Sequence, residues 1–80
     1  MAAELVADRT LDCTGMLCPV PIVKLSKAIK EVQPGQTILL LATDPGSRPD
    51  MAAWQRRTKN EVTLMEPEGK TFRFFIRRTA

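Results

Sequence analysis

The chain contains no histidine and no tyrosine, and of its 80 residues only two are cysteine and four glycine. Each shortage removes a class of chemistry. Without histidine there is no Cys–His nucleophile pair. Two cysteines alone make a poor zinc site, which usually takes four ligands. The four glycines, Gly15, Gly35, Gly46 and Gly69, are isolated turn residues and form no phosphate-binding pattern. Aromatics are 5% of the chain, with no stacking set interleaved among basic residues, so direct contact with nucleic acid is not expected. The longest apolar run, "ILLLA", is far too short to cross a bilayer. The start, "MAAELVADRT", holds Glu4 and Asp8 and does not read as a secretory signal. A cytoplasmic location without membrane attachment is the expectation. No cofactor and no metal are expected.

What remains is ordinary globular material. Hydrophobic residues are 44% and charged residues 26%, and the net charge is +3. Such a chain folds as one small domain, residues 1–80, with no room for a deep enclosed pocket. Its basic residues are scattered rather than gathered into a run, which fits a solvated surface.

Hydrophobic periodicity divides the chain into six elements. "RTLDC" puts Leu11 and Cys13 on one strand face and Asp12 on the other. From Pro19 to Val32 the period becomes helical: Ile22, Leu25, Ile29 and Val32 form a stripe, widened by Val23 and Ala28, with Lys24, Lys27, Lys30 and Glu31 mainly opposite. "QPGQ" ends that helix. "TILLLA", residues 37–42, is apolar on both faces and predicts a buried central strand. "TDPGSRPD" turns into a second helix, where Ser47 and Asp50 have capping-box spacing and Pro49 is tolerated in the first turn. Met51, Ala52, Ala53 and Trp54 supply its apolar surface. "EVTLME", with Val62 and Leu64 inward, and "TFRFFIR", with Phe72, Phe74 and Ile76 on one face, predict a closing hairpin across "PEGK". The predicted fold is therefore α/β in the α+β sense. It is a two-layer β-α-β-α-β-β sandwich, with both helices on one face of a mixed four-stranded sheet.

The chemistry left over is thiol chemistry. In "GMLCPVPIVKL" a cysteine directly precedes two prolines and an apolar helix. Pro19 at the first helical position loses nothing by its missing N–H, and Pro21 still lies within the first turn. Cys18 then occupies or adjoins the N-cap, near the positive end of the helix dipole. A thiolate there is stabilised by a few tenths to about 1 kcal/mol, through the dipole and remaining amides such as that of Val20. The thiol becomes a better nucleophile at neutral pH, and the prolines give it a stiff mount. Cys13, on a strand face with Leu11, is expected to pack as a small core residue. The alternative for Cys13 is a second, resolving thiol for Cys18. Four residues separate the two cysteines, unlike the Cys-x-x-Cys spacing of thioredoxin-like redox sites.

"LDCTGMLCPVPIVKLSKAI", followed by "ATDPGSRPDMAAW" and the closing "FRFFIRR", resembles the TusA family of small sulfur-carrier proteins, SirA-like, with its Cys-Pro-x-Pro motif. The resemblance covers nearly the whole chain and implies the same two-layer fold. It implies that Cys18 accepts a sulfane sulfur as a persulfide and passes it to another protein. Implied donors are cysteine desulfurases or rhodanese-like proteins. Implied acceptors serve tRNA thiolation, molybdenum-cofactor assembly or sulfur oxidation. Asp12, Gly15, Pro19 and Pro21 match motif positions and are expected to shape the site. Lys24, Lys27 and Lys30 are candidates for partner docking. Many family members carry a further cysteine after the position of Trp54; here it is Gln55, so activity depending on that thiol does not carry over. A monomer is expected. The competing reading is a non-catalytic regulatory, RNA-binding or protein-binding module.

Overall fold

The computed structural model describes residues 7–17, 20–65 and 67–79. Cys18 and Pro19 lie outside the described residues. The chain runs β1 (Arg9–Cys13), α1 (Val20–Ala28), a short 3₁₀ turn (Ile29–Glu31), β2 (Thr37–Ala42), α2 (Ser47–Thr58), β3 (Glu61–Leu64) and β4 (Phe72–Arg77). The sheet order is β1-β2-β4-β3. β1 runs parallel to β2, while β4 is antiparallel to both β2 and β3. This is the predicted mixed sheet.

Register explains which side chains meet. Leu11 lies opposite Leu40, Cys13 opposite Ala42, and Ile38 and Leu40 lie opposite Ile76 and Phe74. With period-2 alternation these share the face covered by the helices. There they form one core with Leu25, Ala28, Ile29, Val32, Met51 and Trp54. Trp54, 0% exposed, is the largest fully buried side chain. Its indole N–H donates to Ser26 Oγ at 3.1 Å, tying α2 to α1. Among the described residues no helix covers the opposite sheet face, and Leu39, Leu41 and Phe75 are half-buried rather than enclosed as the buried strand predicted for "TILLLA" would have them.

Several local expectations are corrected. The α-helix is shorter than Pro19–Val32, because the chain tightens into the 3₁₀ turn after Ala28. Its buried stripe is Pro21, Leu25, Ala28, Ile29 and Val32. These fall at i, i+4, i+7, i+8 and i+11, one face of a helix. Val23 lies off that face and is 50% exposed, and Ile22 is half-buried at its margin. In α2, Met51 and Trp54 face the core while Ala52 and Ala53 are exposed. Leu64, expected inward, is 43% exposed because β3 is the sheet edge.

The capping box at Ser47 and Asp50 does not form. Ser47 is the first residue of the helix, and Gly46 at the N-cap offers no side chain. Asp44 does the work one turn earlier: its Oδ1 accepts the Gly46 N–H at 3.3 Å, and its carbonyl accepts Ser47 Oγ at 2.7 Å. The short side chain of Asp in a turn competes well for such bonds. At the other end, Lys59 adopts φ 66° and its N–H donates to the Gln55 carbonyl at 2.7 Å. Glycine takes this conformation without steric cost. Lys59→Gly will therefore raise stability by up to about 1 kcal/mol, or roughly 4–8 °C in Tm for a domain of this size. A lower Tm by calorimetry would contradict the strain argument.

Candidate functional site

The loop that follows β1 is built by local hydrogen bonds. Asp12 Oδ1 accepts both the Thr14 N–H at 3.1 Å and the Thr14 hydroxyl at 2.6 Å. The hydroxyl, then the amide, hold the Asp12 carboxyl below the ordinary carboxylate range. The turn continues through Gly15 at φ 79°, a left-handed conformation that suits glycine. A Cβ on Gly15 would meet nothing within 4 Å, so the requirement is conformational rather than one of space. The Gly15 N–H donates to Thr43 Oγ1 at 2.9 Å, and the Met16 N–H to the Cys13 carbonyl at 3.2 Å. Because β1 and β2 are adjacent and parallel, the loops leaving their C-terminal ends meet, and Thr43 braces the loop that leads to Cys18.

Thr14 and Thr43 were not singled out from the sequence. Asp12-Cys13-Thr14 has the spacing of an Asx turn and could have revealed Thr14. Thr43 carries no local signal, since its partner is 28 positions away.

On the far side of Cys18 and Pro19, α1 begins at Val20, with Pro21 fully buried beneath it. The Val20 N–H, one of the amides expected to help stabilise a thiolate, donates to the Leu17 carbonyl at 2.9 Å; the thiolate expectation itself falls on Cys18, outside the described residues. No acidic residue occupies the first turn of α1, so no like charge there opposes an anion at its N-terminal end. Leu17, Val20 and Val23 are 74%, 42% and 50% exposed. These apolar side chains flank or belong to the motif in sequence, and Lys24, Lys27 and Lys30, further along the chain, are exposed as well.

Cys13 is set apart from this surface. It is 0% exposed within the core. Desolvation pushes its thiol up from the ordinary value of 9.0, against a smaller lowering by Lys24, and Asp12 adds to the rise. The folded state therefore favours the protonated thiol. The stability this confers is present below the ordinary thiol value and is lost as pH climbs above it towards the folded value. Relative to Cys13→Ala, the wild-type chain will lose stability above about pH 9, with a slope of at most about 1.4 kcal/mol per pH unit. Parallel urea titrations of the two proteins between neutral and alkaline pH read this directly. Parallel profiles would show that Cys13 opens to solvent.

The sequence supplies Gln55 where a second surface thiol is often found in the resembled family. Here Gln55 Oε1 accepts the Val62 N–H at 2.5 Å. It joins α2 to the β3 edge, a structural bond for which a cysteine side chain is too short.

Residues 9–78 match the protein family described as Sulfurtransferase TusA. The chain is 38% identical over 72 residues to the sulfur carrier protein TusA of Allochromatium vinosum, covering 90% of this chain and 95% of that one. It is 41% identical over 72 residues to YrkF of Bacillus subtilis, a protein named as a candidate sulfur carrier. That alignment covers 90% of this chain but 39% of the longer YrkF. Among solved structures, the SirA-like protein of Desulfitobacterium hafniense has the same fold, with a TM-score of 0.79 at 20% identity, covering 90% of this chain and 99% of that one. The family match spans β1, the Cys18 motif, both helices and the hairpin, and with it the chain belongs to the TusA family of sulfurtransferases.

Proposed function

We propose that this chain is a sulfur carrier whose Cys18 holds sulfane sulfur as a persulfide and relays it between two partner proteins. The observation that carries the reading is the family match over residues 9–78, which includes the Cys18-Pro19-Val20-Pro21 motif. Loading is a transfer between sulfurs. The Cys18 thiolate attacks the terminal sulfur of a donor persulfide, a new S–S bond forms, and the donor's S–S bond breaks. The electron pair leaves with the donor thiolate. Release repeats the step with the Cys18 persulfide as donor, so no external oxidant or reductant is consumed. The described residues around the motif supply shape rather than acid–base catalysis. Asp12, Thr14, Gly15 and Thr43 hold the loop, and Pro21 anchors the start of α1.

Cys13 has no part in this relay, since an enclosed, protonated thiol is a poor nucleophile. The donor, a desulfurase or rhodanese-like protein, and the acceptor meet Cys18 across Leu17, Val20 and Val23, with acidic groups opposite Lys24, Lys27 and Lys30. The relay operates in a reducing, cytoplasmic setting. No helix among the described residues is long and apolar enough to cross a membrane.

Two sulfur sources separate carriage from docking. After loading with inorganic polysulfide, cyanide will release about one thiocyanate per chain, whether or not the three lysines are changed to glutamate. Loading from a protein donor will be slowed about ten-fold or more by the triple change, and by raising the salt concentration in the wild type. No thiocyanate from the wild type would refute the carrier. Salt-independent, charge-independent loading from a protein donor would refute the docking surface.

A further inference from the structure

Cover of the sheet by α2 is incomplete at the β3 edge. An open groove of about 520 Å³ lies between the first half of α2 and the β3–β4 hairpin. Its apolar lining includes Met51, Val62, Leu64 and Phe74, with two prolines and Ala52 beside them. Leu64 is 43% exposed and Phe74 2%, so the groove runs from solvent down to the core. The volume is within the range of small-molecule sites, which pair an apolar lining with a few convergent polar groups.

The polar groups here are Arg48 and Gln55. Gln55 has committed its Oε1 to the Val62 N–H, which leaves its NH₂ to donate. Arg48 has donors only, and it has no ion-pair partner among the described residues. No carboxylate among the described residues lines the groove. The side-chain polar contacts on offer are thus mainly donors, with one spare lone pair on Gln55 Oε1, and Arg48 carries a full positive charge. The complementary ligand has an apolar body and an anionic head that accepts hydrogen bonds. A cationic head would be repelled by Arg48, and a neutral alcohol would forgo the charge-assisted bond.

We propose that this groove binds a small amphiphilic carboxylate, its chain against Val62, Leu64 and Phe74 and its head on Arg48 and the Gln55 amide. The proposal uses no residue of the Cys18 motif and stands or falls separately from sulfur carriage.

Octanoate, 1-octanol and octylammonium, titrated into the full ¹⁵N-labelled chain at constant ionic strength, test it. Octanoate will saturably shift the amide signals of Arg48, Ala52, Val62 and Leu64 and the Gln55 side-chain NH₂. It will bind at least about five-fold more tightly than octanol, with octylammonium weakest. Arg48→Gln, at an exposed position, will reduce octanoate affinity to the level of octanol and leave octanol unchanged. Leu64→Asn will weaken both. The thiocyanate yield after polysulfide loading will be the same in both variants as in the wild type. Equal binding of octanoate and octanol, an Arg48→Gln variant that still prefers octanoate, or shifts confined to other surfaces would overturn the proposal. The last result would leave the groove to a macromolecular partner or to none.

Discussion

Cys18→Ser will reduce sulfur transfer from donor to acceptor by at least about a thousand-fold, the scale of loss when a covalent nucleophile is removed. A serine hydroxyl is scarcely ionised at neutral pH and cannot replace a thiolate in sulfur exchange. The fold should survive, because the change is nearly isosteric and the core of the described residues is built from β1, β2, β4 and the helices. Cys13→Ala will keep transfer within a few-fold of wild type while lowering stability, since it removes a fully buried sulfur. Both rates are to be read in single-turnover transfer with radiolabelled sulfur. Robust transfer by Cys18→Ser would place the reactive sulfur elsewhere.

Trp54→Ala will cost about 3–5 kcal/mol of folding stability. The 0% exposed indole fills the centre of the interface between α2, α1 and the sheet, and the change also strips Ser26 of its indole donor. A chain of 80 residues has roughly 4–12 kcal/mol in total, so the variant will be close to unfolding at room temperature. Trp54→Phe separates the two contributions. It keeps most of the apolar contact and loses the hydrogen bond, for about 1 kcal/mol plus any repacking cost. Urea denaturation followed by circular dichroism measures both. A loss below about 1.5 kcal/mol in Trp54→Ala would mean that the cavity refills by collapse.

The sheet was legible in the sequence because its inward residues alternate without interruption. Phe72, Phe74 and Ile76 in β4 admit one register, and a slip by one residue would turn Arg73 and Arg77 into the core. The α1 stripe departs from the sequence pattern at Val23 for a definite reason. Pro21 suits helix initiation, yet it is also an apolar side chain and begins the buried stripe. Counting from Pro21 leaves Val23 on the outside, exposed like Leu17 and Val20.

The site was legible as far as local rules reach. Asp12 and Gly15 stand where a tight turn needs them, and their bonding and φ value account for that need. Thr43 was not legible, because its bond to Gly15 exists only once β1 and β2 are paired. The Val20 N–H has two acceptors near it in sequence, a thiolate at Cys18 and the Leu17 carbonyl, and it is bonded to the carbonyl. Two local partners within reach of one donor cannot be ranked from spacing alone. The same competition explains why Asp44, rather than Ser47, organises the start of α2.

The central claim, that sulfur is carried on Cys18, is tested most directly by intact-mass analysis of three proteins after polysulfide treatment and removal of excess donor. The wild type and Cys13→Ala will each gain the mass of one sulfur atom, which a thiol reductant removes, and Cys18→Ser will gain none. A sulfur retained on Cys18→Ser and absent from Cys13→Ala would contradict the account and move the carrier function to the buried thiol.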